Sequence, residues 1–203
     1  MDESGTTRKE KRIERGAKPF IIACHRGGGI CRACYYETKI STIVKRAGVT
    51  QPTFYIYFPT KDSVFQELVE QFQAKLFNLT LRSRLEPDID TDSLPDRIAA
   101  GLEALFHFFK EEPHLMRIGF LLAPEAEEIK RQLAAQVQGN LESEQQAGYF
   151  HRDMDMSTIA ESLVGMIERL TITKLLPGLK TPEELAGEIV RLFLYGMLTA
   201  DNS

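Results

Sequence analysis

The chain has few cysteines and no long apolar run. Its three cysteines, Cys24, Cys31 and Cys34, are odd in number and crowded into one stretch. That is no disulfide framework and fits a reducing compartment. No apolar segment approaches the ~18 residues needed to cross a bilayer. The first residues (Met1 to Arg12) carry charge with no apolar segment behind it, so no secretory signal is expected. The expectation is a cytoplasmic protein with no membrane partner. Strand-like alternation with turn chemistry is missing, as are internal repeats. Also missing are a nucleophile elbow, a His-Glu-x-x-His pair and the Rossmann glycines, so no enzymatic activity and no cofactor are expected. His151-Arg152-Asp153 lacks the other kinase signatures. Gly27-Gly28-Gly29 lacks both the spacing of a phosphate-binding loop and a preceding strand.

What is present is an uneven charge distribution. Of 203 residues, 43% are hydrophobic and 27% charged, an ordinary globular balance, and the net charge is -4. Residues 1–61 hold twelve Lys/Arg against five Asp/Glu, a charge of +7; the remainder holds 13 against 24, a charge of -11. A basic head on an acidic body is the footprint of a module that meets a polyanion. A chance cluster of solvated lysines is the blander reading of the same numbers.

From Ile40 onward the apolar spacing is helical almost throughout. Ile40, Ile43, Val44 and Ala47 form a short run stopped by Gly48. Gln51 to Phe58 follows, with Pro52 in its first turn and Pro59 after it. Thr60 can cap a long helix from about Lys61 to Leu81, with Val64, Leu68, Phe72 and Leu76 on one face. Residues 85–95 read as a loop. Helices are then predicted over about 95–111, 124–146, 155–176 and from Thr181 onward, with a short, very apolar segment at 115–122. Asp155 can cap the third of these, and Thr181-Pro182-Glu183-Glu184 is a capping-box start.

The segment Ile40 to Phe58 has the ingredients of a helix-turn-helix. Ala47 is small, so two helices can approach; Gly48 permits the left-handed backbone that ends the first; Val49 can plug the core between them. Residues 43–62 read Ile-Val-Lys-Arg-Ala-Gly-Val-Thr-Gln-Pro-Thr-Phe-Tyr-Ile-Tyr-Phe-Pro-Thr-Lys-Asp. Nearly every position agrees with the motif of the TetR family of bacterial transcriptional regulators, and the stretch strongly resembles that family. The resemblance implies an all-α fold: a helix-turn-helix head over residues 1–60 and a helical ligand-binding and dimerisation domain over 61–203. It also implies a partner, a double-stranded DNA operator. Gln51, Pro52 and Thr53 would begin the recognition helix, where the Gln51 amide suits adenine's donor-acceptor pair. Thr50, Thr53, Tyr55 and Tyr57 would offer hydroxyls to phosphates, and Lys61 would hold the backbone as a point charge. Phe54 and Phe58 read as core wedges. Plain packing is the competing reading for the two tyrosines.

A head of this size needs a twin. Two heads about 34–36 Å apart would read a palindrome. The last two helices are the expected homodimer surface, paired with their symmetry mates in a four-helix bundle. The resemblance further implies a small-molecule inducer, whose release of the operator would make the protein a repressor. Candidate pocket residues are Leu102, Phe106, Phe109, Met116, Arg117, Phe120 and Met166, a set suited to lipophilic molecules. His107, His114 and Arg169 are further candidates for a polar anchor. Ordinary core packing competes for the apolar members.

Upstream of Ile40 the family pattern fails. Pro19 and the three glycines disfavour the single amphipathic helix it calls for. Residues 18–37 are therefore open to three readings: a tolerated insertion, a segment read in a shifted frame, or a metal or thiol site built from Cys24, His25, Cys31 and Cys34. In the last case Cys31 and Cys34 supply a ligand spacing, while the adjacency of Cys24 and His25 is awkward for chelation. A metal- or thiol-responsive regulator is the alternative function.

Overall fold

The computed structural model describes residues 39–47, 50–85 and 90–197, except for the side chains of Ile43, Arg46 and Ala47. The described residues form eight α-helices and no strand. They are α1 (Ile40–Ala47), α2 (Gln51–Tyr57), α3 (Lys61–Arg82), α4 (Leu94–Glu111), α5 (Pro113–Arg117), α6 (Ala126–Gln146), α7 (Met156–Leu170) and α8 (Pro182–Tyr195). A 3₁₀ turn, Thr91–Ser93, leads into α4, and single π turns extend α5 (Ile118–Leu122) and α7 (Thr171–Leu175). The readings placed on Cys24, His25, Cys31 and Cys34, on Gly48 and Val49, and on the Ala47 side chain lie outside the described residues.

The helix starts are chemical. Thr50 caps α2, accepting from the Thr53 N–H at 3.3 Å. Thr60 caps α3 in a reciprocal box: Ser63 N–H donates to Thr60 Oγ1 at 3.1 Å, and Thr60 N–H donates to Ser63 Oγ at 3.3 Å. Thr181 and Glu184 form the equivalent box on α8. Asp155 caps α7, accepting from Ser157 N–H and Thr158 Oγ1; these bonds hold its carboxyl below the usual range. Gly148, Gly178 and Gly196 end α6, the π turn after α7, and α8 with positive φ, where only glycine is at ease.

The helix α3 joins the two ends of the molecule. At about 1.5 Å per residue it runs roughly 33 Å. Its first turns bury Val64 and Leu68 in a core continuous with Val44, Phe54 and Phe58 of the α1–α2 pair. Its middle buries Phe72 among Phe108, Phe109 and Phe120, with ring centroids 5.8, 6.2 and 5.3 Å away. Beyond it, α8 packs on α4 and α6 on α7. A half-exposed polar contact joins α4 to α8, His107 Nε2 to Glu183 Oε1 at 2.8 Å. Lys130 of α6 reaches Glu168 of α7 at 3.1 Å. Burial pulls the Lys130 ammonium down, but its bonds to Glu127 and Glu168 outweigh that and hold it above its ordinary value. No helix among the described residues is long and apolar enough to cross a membrane.

Candidate nucleic-acid interface and interior cavity

The helix α2 has an anchored side and an open side. Phe54 and Phe58 are buried, their ring centroids 5.6 Å apart, and fix α2 against α1 and the start of α3. This leaves Gln51, Pro52, Tyr55, Ile56 and Tyr57 exposed. Tyr55 stands edge-on to Phe54 at 5.6 Å while remaining 51% exposed. Packing therefore orients Tyr55 without consuming its hydroxyl. Thr50 and Thr53 face each other, hydroxyl to hydroxyl, at 2.8 Å. Lys61 is the first residue of α3, directly behind α2 in the chain, and Lys39 and Lys45 are exposed at α1. Gln51, Pro52, Tyr55 and Tyr57 thus come together on one exposed helix, with Thr50, Thr53 and Lys61 at its borders.

One residue of this surface carries no polar signal and was not anticipated. Ile56 is 75% exposed in the middle of α2. The clue is its register: it falls between the two buried aromatics, on the face opposite them.

The interior space lies away from most of the residues expected to line it. A partly open cavity of about 170 Å³ is lined by the end of α3 (Leu79, Thr80, Ser83), by α4, α6, α7 and α8, and by Phe150 and Met154 of the α6–α7 connection. Of the anticipated pocket residues, Leu102 lines it. Phe106, Phe109, Met116 and Phe120 are wholly buried, and Phe109 and Phe120 fill the space beside Phe72. Arg117 and Met166 are half-buried and line no part of the cavity, nor do His107, His114 or Arg169. The physical reason is close packing: rings that satisfy one another leave no void. At Gly101 α4 approaches the end of α3 closely, and a β-carbon there would stand 2.8 Å from that of Ser83.

The cavity's polar members were also missed, and they form an ordered set. Four residues of α6 hold the last turns of α3. Gln136 Nε2 donates to the Phe77 carbonyl at 3.3 Å, and Asn140 Nδ2 to the Thr80 carbonyl at 3.2 Å. Arg84 Nη2 donates to Ser143 Oγ at 3.2 Å, and the Leu85 N–H to Glu144 Oε1 at 3.4 Å. Asn140 and Glu144 also line the cavity, together with Thr80 and Ser83. Glu144 is only 8% exposed. Burial pushes its carboxyl above the ordinary value, opposed by the Leu85 N–H and by the nearby Arg84 charge. The signal was present in the sequence: Glu144 continues the apolar register Leu133, Val137, Leu141 on the inner side of α6. Among the described residues no group of three or more His, Cys, Asp or Glu side chains is placed to hold a metal ion.

Comparison with known proteins meets this geometry at both ends. Residues 34–68 match the family model of bacterial regulatory proteins, tetR family. The chain is 41% identical over 202 residues to an uncharacterized HTH-type transcriptional regulator, YdgC, of Bacillus subtilis (strain 168), covering 100% of this chain and 98% of that one. Among solved structures it is similar to the TetR family transcriptional regulator PfmR of Thermus thermophilus. There the TM-score is 0.71 at 17% identity, over 95% of this chain and 100% of that one. It is also similar to the transcriptional regulator FadR of Bacillus subtilis in complex with stearoyl-CoA. There the TM-score is 0.68 at 18% identity, over 91% and 99% of the two chains.

Proposed function

The chain belongs to the tetR family of bacterial regulatory proteins, and from that premise we propose that it is a dimeric repressor, released from a palindromic operator by a small lipophilic ligand. It is a DNA-binding transcriptional regulator. The observation that carries the finer reading is the open side of α2, where Gln51, Tyr55, Ile56 and Tyr57 stand exposed while Phe54 and Phe58 lock the helix in place. In this reading Gln51 reads a base edge and Ile56 covers a thymine methyl. Thr50, Thr53, Tyr55, Tyr57 and Lys61 hold phosphates, which fixes register, and Pro52 shapes the start of the helix. The head is taken as residues 1–60 and the body as 61–203.

Dimerisation is assigned to the outer faces of α7 and α8. Both helices carry a mid-helix glycine, Gly165 and Gly187, with nothing within 4 Å of where a β-carbon would stand. Glycine weakens a helix interior by about 1 kcal/mol relative to alanine, so an open glycine on each helix fits a close-approaching partner. Leu179 before α8, and Leu192, Tyr195 and Met197 towards its end, add exposed apolar surface.

The ligand site is assigned to the cavity at the end of α3. A void of this size lined by aliphatic side chains accommodates an apolar body on the scale of a benzene ring or a short chain. The FadR structure that this chain resembles in fold was solved in complex with a much larger amphiphile, stearoyl-CoA. Ligand at Thr80 and Ser83 would strain the bonds that tie α3 to Asn140 and Glu144. Movement there would be carried along α3 to Lys61 and α2. The ligand shifts the equilibrium only by its difference in affinity for the two arrangements. An electrophoretic mobility shift with DNA from upstream of the gene, at two salt concentrations and with a lipophilic panel, tests this. Specific, steeply salt-dependent retention that some member relieves is the expected result. Retention that no member relieves would remove the inducer from the account.

A further inference from the structure

Among the described residues the cavity has one ionisable group in its wall and no cationic one. Glu144 is more than nine-tenths buried there, between aliphatic side chains of α6 and the last turn of α3. Its Oε1 receives the Leu85 N–H at 3.4 Å, near the outer limit of a hydrogen bond. No hydrogen bond from a described residue reaches Oε2. Arg84 directs its guanidinium to Ser143 Oγ and acts on Glu144 through its charge, with no hydrogen bond to the carboxylate. A carboxylate so placed has one long hydrogen bond and the Coulomb pull of Arg84, fewer donors than a buried charge calls for.

That imbalance selects among ligands. Resting on the assignment of the cavity as the ligand site, we propose that the effector pairs an apolar body with a basic amine, and that Glu144 anchors the ammonium. The apolar body lies against Leu102, Val137, Leu163 and Ile189, and the head points to the end of α3. An ammonium supplies several N–H donors to one acceptor and neutralises its charge without breaking any packed contact. Asn140 and Ser83, on the same wall, offer further oxygens to those donors. An alcohol of the same shape supplies one donor and leaves the charge unmatched. A fatty acid of the same shape brings a second carboxylate beside the first, in a wall that holds no lysine, arginine or histidine among the described residues. The amine thus engages the residue that also ties α6 to the Leu85 N–H, linking ligand recognition to the hold on α3.

The test is calorimetric titration of the full chain with three octyl compounds that differ only in the head: octylamine, octanol and octanoate. The expected order is octylamine first, about tenfold or more tighter than octanoate, with octanol between them. Glu144→Gln, which keeps the shape and the acceptor for the Leu85 N–H, is expected to weaken octylamine about tenfold and to leave octanol within about threefold. Octanoate binding as tightly as octylamine, an unchanged octylamine affinity in the Gln variant, or no heat from any of the three would overturn the proposal. The wild-type order stands as a test even if the variant fails to fold. A parallel mobility shift separates the two levels of the account. Glu144-dependent amine binding that leaves DNA retention unaltered contradicts the ligand-released repressor while the anchor assignment stands.

Discussion

Phe72 of α3 lies across the α-carbon of Gly119, in the π turn that follows α5, and a β-carbon at position 119 would overlap its ring. The contact lets the helix that joins the two ends of the molecule sit against the body with no side chain between them. Gly119→Ala is expected to destabilise the fold by about 1–3 kcal/mol through overpacking. In a chain of this size that lowers the melting temperature by about 2–4 °C per kcal/mol. Calorimetric melting of the variant checks it. An unchanged midpoint would mean that α3 moves aside freely at this level.

The DNA face makes two distinguishable predictions. Lys61→Ala is expected to weaken binding to all sequences alike and to reduce the slope of log affinity against log salt by about one. Gln51→Ala is expected to cost about 1–3 kcal/mol on the operator and to relax preference at one base pair in each half-site, with the salt slope unaltered. Titrations at several salt concentrations, on operator and scrambled DNA, separate them. Equal losses on both DNAs for Gln51→Ala would place it on the phosphates.

Glu144 makes a prediction about the protein without ligand. Its carboxyl is held above the ordinary glutamate value of 4.5 by burial, so the folded state binds a proton more readily than the unfolded one. Stability is then lost as pH rises from that ordinary value through the folded-state value. Glutamine does not titrate. Glu144→Gln is therefore expected to melt above the wild type at neutral pH, with the gap closing as pH falls below about 4.5. A variant that melts lower at neutral pH would show that the Leu85 and Arg84 interactions outweigh the burial.

The helix surfaces with open glycines yield a test of assembly. A β-carbon at Gly165 or Gly187 meets nothing within 4 Å in the single subunit, and both positions are exposed, so Gly165→Leu and Gly187→Leu are expected to leave its folding intact. Both are expected to weaken self-association about tenfold or more, read as a shift towards monomer in analytical ultracentrifugation at unchanged helicity. A variant that stays fully dimeric would move the interface off α7 and α8.

What could be read from the sequence was what is decided locally. The caps at Thr60, Asp155 and Thr181 declare themselves within four residues, and the apolar spacing around Val44, Phe54 and Phe58 places the α1–α2 pair. The exposed set on α2 follows once Phe54 and Phe58 are taken as buried. The cavity is decided by packing at long range. Phe106, Phe109, Met116 and Phe120 have the composition of a pocket lining, yet these side chains are all fully buried, and the Phe109 and Phe120 rings close on Phe72, a residue more than thirty positions away. The π turns at Ile118–Leu122 and Thr171–Leu175 have no local signature either. Glu144 was legible in part: an acid in an apolar register announces a special position, but only the fold shows the Leu85 N–H opposite it.

The central claim is that two exposed α2 helices, held by one dimer, enter successive major grooves. A footprint of the purified protein on the DNA upstream of its gene tests this most directly. Two protected half-sites related by a dyad, with centres about 10 base pairs or a multiple of that apart, are the predicted result. A single unpaired patch of protection, or none even at low salt, would contradict it.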